Sequence, residues 1–177
     1  MNPGDLVLLG ARPGHGKTLM SLELVVEAVK SGRRGWFFSL EYNEIDVRNR
    51  LKAIDGNSTI FSDRCKFDCS DAISADYIID QLALSPRGTV VVIDYLQLLD
   101  QKRENPELMV QVRTLKRFAC DRGLIIVFVS QIDRSYDPSA RLCPDISDVR
   151  LPNPLDLMLF NKTCFLNNGE VRITAVS

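Results

Sequence analysis

Ala11 to Thr18 reads ARPGHGKT, with two glycines, a lysine and a hydroxyl in the order a phosphate-cradling turn requires. The apolar run Leu6-Val7-Leu8-Leu9 before it suits a strand, and the amphipathic stretch after it suits a helix. In that setting the backbone from Ala11 through Arg12, Pro13, Gly14, His15 and Gly16 wraps a polyphosphate at a helix N-terminus. Lys17 then reaches the β- and γ-phosphates, and the Thr18 hydroxyl is offered to Mg²⁺. Ala11 stands where such loops usually have a first glycine, which is tolerated if the backbone there needs no positive φ. A glycine-rich turn that binds nothing would share these letters, but not the strand and helix that flank them.

Holding a nucleoside triphosphate is not hydrolysing it. Hydrolysis also requires a carboxylate on the metal side, a group that activates water, and a group that reports the γ-phosphate. Asp94 ends the run Val90-Val91-Val92-Ile93, so it falls at the C-terminal edge of a strand, facing the crevice where the phosphate loop lies. The residue after it is Tyr95, so the base must come from another strand. Glu41 follows Phe37-Phe38-Ser39-Leu40 and meets that requirement; an ionisable group ending so apolar a run is more often functional than solvating. Gln131, after Val127-Phe128-Val129-Ser130, can hydrogen-bond a γ-phosphate or a water.

Alternating strands and helices must position these groups. Leu19, Leu22, Val26 and Val29 recur at helical spacing, and Ser31-Gly32 closes that helix. The pattern predicts strands at residues 35–40, 64–68, 89–93 and 124–129. It predicts helices at 44–54 with Ile45, Leu51 and Ile54 inward, at 74–84, and at 106–122 with Leu108, Val112, Leu115 and Ala119 inward. Asp55-Gly56-Asn57-Ser58 and Ser85-Pro86-Arg87-Gly88 read as turns, and residues 135–144 as a loop. A strand is expected at 155–160, then a hairpin about Asn167-Asn168-Gly169. Fully apolar strands in βα order give an α/β fold: a mostly parallel sheet with helices on both faces and an antiparallel C-terminal hairpin.

The bulk numbers limit the alternatives. A chain of 177 residues is one domain's length, and 45% apolar with 25% charged residues is ordinary for a globular protein. No apolar run nears the ~18 residues of a membrane span, and Met1-Asn2-Pro3-Gly4 opens no basic leader, so a cytoplasmic protein is expected. The net charge of −1 gives no global attraction for nucleic acid. Arg113, Lys116 and Arg117 lie on one helix and read as solvated surface. Arg134, Arg141 and Arg150 fall in or beside loops at strand ends and are the candidates for DNA contact. The five cysteines include no C-x-x-C pair and read as reduced structural thiols.

Several separate segments resemble the ATPase motor domain of DnaB-type replicative helicases, which are RecA-like proteins: GDLVLLGARPGHGKT, FFSLE, VVVIDYLQLL, VRTLK, VSQIDR and PDISDVR. The resemblance runs from about Gly4 to Phe160, in matching order. It implies a RecA-like P-loop fold over residues 1–177, ATP and Mg²⁺ as ligands, and assembly into a hexameric ring on single-stranded DNA. It implies Lys17 and Thr18 on phosphate and metal, Glu41 as catalytic base, Asp94 supporting Mg²⁺, and Gln131 as the residue that couples hydrolysis to movement.

Departures from the family accompany the match. The chain begins almost at the first strand, so the family's N-terminal collar domain is not expected within it. Where the family has a glycine-containing DNA loop, this chain has the shorter Leu151-Pro152-Asn153-Pro154, stiffened by two prolines. The family's Lys-x-Arg pair, which reaches a neighbour's ATP, has only Lys162 here, with no arginine until Arg172. An arginine finger is worth about 10³–10⁵ in rate, or about 4–7 kcal/mol, so a chain without one turns ATP over slowly. The expectation is an Mg–ATP-binding and -hydrolysing, helicase-like domain that contacts single-stranded DNA. The alternative is a stand-alone ATP-dependent switch or assembly factor that does not translocate.

Overall fold

Alternate residues of each central strand face opposite helical layers, and this period of two organises the molecule. The computed structural model describes residues 1–56, 63–100, 104–151 and 153–176. The strands are β1 (Leu6–Ala11), β2 (Gly35–Ser39), β3 (Cys65–Asp68), β4 (Val90–Asp94), β5 (Ile125–Gln131), β6 (Lys162–Asn167) and β7 (Glu170–Ala175). The helices are α1 (Lys17–Lys30), α2 (Glu44–Ile54), α3 (Ala75–Leu82) and α4 (Leu108–Arg122). One seven-stranded sheet has the order β3-β2-β4-β5-β1-β6-β7. All neighbours are parallel except β6 and β7, so the hairpin is antiparallel within itself while β6 extends the parallel sheet alongside β1.

Val7, Leu9, Phe37, Val92, Val127 and Val129 meet Leu22, Val25, Val26 and Val29 of α1 and Val47 and Leu51 of α2. Leu6, Leu8, Trp36, Phe38, Val91, Ile93, Ile126 and Phe128 meet Ile78 and Leu82 of α3 and Leu108, Val112, Leu115 and Ala119 of α4. Burying one such side chain contributes about 1.5–3 kcal/mol, so the two cores are the main source of stability. Helix boundaries follow local chemistry. Asn43 and Ser74 cap α2 and α3 by accepting the Asp46 and Tyr77 N–H groups, and Gly123 ends α4 at φ 64°. Ser31-Gly32 closes α1, with Gly32 at φ 83°.

Three sequence expectations need correction. Ile45 is 70% exposed, and Val47 takes its inward place, because Val47, Leu51 and Ile54 share one helical face and Ile45 lies on another. Leu19 is 51% exposed and stands at the crevice rather than in the core. Residues 155–160 form no strand. Asp156 accepts the Met158 N–H and starts the 3-10 turn Leu157–Leu159, while β6 takes the place beside β1 that a strand there would need. Asn57, Ser58 and Pro152, used in the turn and loop expectations, lie outside the described residues. No helix among the described residues is long and apolar enough to cross a membrane.

Gly10 in β1 is required for space. A Cβ there would lie 2.6 Å from the Phe165 ring and 3.0 Å from Ile132 Cδ1. Gly10→Ala is therefore expected to destabilise the fold by about 1–3 kcal/mol in urea unfolding. Gly56→Ala, with nothing within 4 Å of its Cβ position, is the matched control and is expected to be near neutral.

Candidate active site

Four neighbouring strands, β2, β4, β5 and β1, end along one edge of the sheet, and each delivers a polar group there. After β1, the chain turns through Gly14 at φ 80° and Gly16 at φ 84° into α1, with nothing within 4 Å of a Cβ at either glycine. The Met20 N–H donates to the Gly16 carbonyl, so the helix begins at the loop itself and presents its free N–H groups to the crevice. Ala11 is fully buried strand and has no positive φ, as its side chain requires.

Lys17 is 8% exposed, and its Nζ lies 3.5 Å from Glu41 Oε2 and 3.8 Å from Asp94 Oδ1. The Glu41 N–H donates to the Ser39 hydroxyl, which fixes the turn that carries Glu41 off β2. Asp94 is fully buried at the end of β4, and neither carboxylate oxygen has a hydrogen-bond partner. The peptide bond from Asp94 to Tyr95 is cis, and the Tyr95 ring lies 5.7 Å from Lys17 Nζ. Pro13, Gly14, Gly16, Lys17, Thr18 and Glu41 line a cavity of about 350 Å³, and Gln131 closes its far side. Tyr42 and Arg50 also line it, with the Arg50 guanidinium 4.5 Å from the Tyr42 ring centre.

These groups suit a polyanion and a hard cation. Among the described residues no group of three or more His, Cys, Asp or Glu side chains could hold a metal ion by itself. Asp94 nevertheless presents two buried, unpartnered oxygens beside Lys17, and Thr18 lines the same cavity. That donor set fits Mg²⁺ as it is usually held: one or two protein oxygens, with phosphate and water completing the shell.

The structure brings Lys17, Thr18, Glu41 and Gln131 together on one cavity, with Asp94 against Lys17. His15 lies at its margin, where Nδ1 accepts the Asn168 N–H at 3.3 Å from the hairpin turn. Arg134 and Arg150 are exposed on neighbouring segments beyond β5, joined by the antiparallel bridge Ile132–Val149. Arg141 is held by Asp145 and by Asp148, the latter at 2.7 Å, which fastens its own loop. Lys162 starts β6 at the opposite edge and pairs with Asp5, while Arg172 lies on the exposed strand β7. Sequence reasoning missed Arg50, Tyr42 and Gln97. The Gln97 amide donates to the Arg150 carbonyl at 2.7 Å and to the Ser130 hydroxyl at 3.4 Å. No motif in the sequence marks any of the three.

Burial pushes the Asp94 carboxyl up to about 6; the Lys17 ammonium opposes that shift and the Glu41 charge adds to it. Between the ordinary value of 3.8 and about 6, the folded protein keeps a proton that the unfolded chain has lost. Stability is thus expected to fall as pH rises through that window and to level off above it. Asp94→Asn should flatten this profile and stabilise the unliganded protein at neutral pH by up to about 3 kcal/mol, while weakening Mg–ATP binding. Urea unfolding between pH 4 and 8 (roughly the span of the titration) checks it; an unchanged profile in Asp94→Asn would remove Asp94 as its cause.

Comparison with known proteins agrees with this geometry. The family described as "ATPase: KaiC" matches residues 2–143. A probable plasmid replicative DNA helicase of Chlamydia trachomatis is 29% identical over 206 residues, covering 96% of this chain and 46% of that protein. The replicative DNA helicase DnaB of Helicobacter pylori is 28% identical, covering 90% of this chain and 40% of its own. The chain thus spans less than half the length of these curated relatives. A solved DnaB-like replicative helicase, studied with its interactions with primase, superposes with a TM-score of 0.74 at 20% identity over 99% of this chain and 52% of its own. A KaiC-like protein of Pyrococcus horikoshii does so at 0.70 and 16%, over 98% and 80%. With its phosphate loop, buried lysine and strand-end carboxylates on a RecA-like sheet, the chain belongs to the KaiC family of ATPases.

Proposed function

We propose that residues 1–177 act as a single RecA-like motor domain that binds Mg–ATP, hydrolyses it and applies the cycle to single-stranded DNA. The observation that carries this is the path from the cavity to the candidate DNA loops. The Gln131 side chain lines the nucleotide cavity, while its main-chain carbonyl accepts the Arg150 N–H at 2.9 Å. Asp133 N–H donates to the Asp148 carbonyl at 2.7 Å, extending the same pairing toward Arg134. The group assigned to the γ-phosphate is thereby one hydrogen bond from Arg150, one of the arginines nominated for DNA.

In the proposed chemistry the loop backbone and Lys17 hold the β- and γ-phosphates, displacing the ammonium's present contacts with Glu41 and Asp94. Glu41, released from Lys17, accepts a proton from water in line with the γ-phosphate. Lys17 takes up charge as it develops on the transferred group. Mg²⁺, held from the Asp94 and Thr18 side, supplies charge neutralisation and orientation. Gln131 holds the water or the phosphate and shifts with its loss. A cytoplasmic hexameric ring would provide the neighbour that completes each site.

One observation favours the second reading, an ATP-dependent switch or assembly factor. Lys162 is tied to Asp5, and Arg172 lies on an edge strand, so among the described residues no cation other than Lys17 and Arg50 lines the cavity. Slow turnover by the isolated chain follows from either reading.

Lys17→Ala is expected to weaken ATP binding at least about 100-fold by calorimetry, because it removes the one ammonium on the phosphates. Glu41→Gln should bind ATP as the parent does and lose about 10²–10⁴ in turnover. Parent-like turnover would take the base role from Glu41. Mass in solution with an ATP analogue and dT20 (about 20 nucleotides, enough to cross one or two sites) separates the two readings. A nucleotide-dependent ring supports the motor, and a persistent monomer or dimer supports the switch.

A further inference from the structure

We propose a second nucleic-acid contact on the edge of the sheet opposite the ATP cavity, made by arginines at the starts of four adjacent strands. Arg64 precedes β3, Arg33 and Arg34 precede β2, Arg87 precedes β4, and Arg122 ends the helix that leads into β5. These strands are consecutive in the sheet, and their starts are level: Gly35 pairs with both Cys65 and Val90, and Val90 with Ile125. At about 4.8 Å per strand the row is about 14 Å long. Over that length one strand of a duplex carries about four phosphates.

Three of these side chains lie beside a glycine that precedes the neighbouring strand. Arg64 Nη1 would be 3.6 Å from a Cβ at Gly32, Arg33 Cδ 4.0 Å from one at Gly88, and Arg87 Nη1 2.6 Å from one at Gly123. Arg122 Nη2 is anchored on the Ala83 carbonyl at 2.6 Å. All five arginines are exposed, and none takes part in an ion pair among the described residues. Acids at this edge offset part of that charge. Asp121 reaches Arg117 at 3.8 Å, and Asp63 shares with Arg34, Arg64 and Lys66 a small hollow of about 60 Å³. In a chain of net charge −1, five guanidinium groups side by side are a local field and not a reflection of composition.

A phosphodiester backbone fits this row better than an acidic protein segment. The arginines precede strands that are consecutive in the sheet, and among the described residues Leu84 is the large apolar side chain exposed beside them. Among the described residues the aromatic ring at the hollow is Trp36, which is 6% exposed and lies under Lys66 Nζ at 5.0 Å, so it is not offered for base stacking. Binding through phosphates alone reads no sequence. This contact does not depend on the ATP cavity or on Arg134 and Arg150, which lie at the other edge.

Fluorescence anisotropy of labelled dT20 across a salt series tests it on the full chain. The triple variant Arg34→Gln, Arg64→Gln, Arg87→Gln is expected to lose at least about tenfold in affinity at low salt, with the log–log salt slope smaller by about 2. The matching triple variant to Lys keeps the charges and should keep the slope, which separates lost charge from lost folding. Arg134→Gln with Arg150→Gln should leave the share lost by the first variant intact. Parent-like affinity and slope in the Gln variant would overturn the proposal. So would absence of parent binding at low salt, or displacement of dT20 by a poly-glutamate of equal length at equal concentration, which would identify an acidic protein partner.

Discussion

Lys17 sits 8% exposed, with its ammonium 3.5 Å from Glu41 and 3.8 Å from Asp94, so one buried cation holds two carboxylates that would otherwise repel each other at the end of the sheet. Asp94 lies fully buried with no hydrogen-bond partner and has only this ammonium to offset its burial. The arrangement is electrostatically incomplete without an anion for Lys17 and a cation for Asp94. A nucleoside triphosphate with a metal ion would supply both. The site is thus strained toward its ligand, and the two apolar cores beneath it hold that strain.

The same sheet explains why the chemistry converges. Hydrophobic strands of period two force the chain into parallel βα units, and parallel strands deliver their ends to a single edge. Glu41, Asp94, Gln131 and the phosphate loop come from strands whose ends lie up to about 120 residues apart, yet those strands are consecutive in the sheet. The opposite edge gathers the strand starts by the same geometry, and there the chain places arginines beside glycines.

Much of this was legible from residue types. Gly14 and Gly16 announce positive φ, and both adopt it; Leu108, Val112, Leu115 and Ala119 announce a buried stripe, and all are buried. Asn168-Gly169 announces the hairpin, with φ values of 48° and 85°. Where reading failed, a competing local bond or helical phase had decided. Asp156 turns an apolar stretch into a 3-10 turn through one side-chain acceptor, and Ile45 is apolar yet lies on the wrong face of α2 for the core. Neither Arg50 nor Gln97 carries a motif, because a pocket-lining role on a helix or after a strand depends on orientation rather than type.

By itself the sequence determined the elements, the phosphate loop, and which polar residues would end apolar strands, because period and turn chemistry are local properties. The tertiary structure alone decided the strand order, which puts Gln131 between the nucleotide cavity and Arg150 and ties Lys162 to Asp5 at the far edge. It also decided that Arg141 fastens its own loop to Asp145 and Asp148, while Arg34, Arg64, Arg87 and Arg122 come to precede strands that are adjacent in the sheet. The physical reason is that a charge takes its meaning from what stands within a few ångströms of it. Those neighbours come from distant parts of the chain, which only the packed sheet brings together.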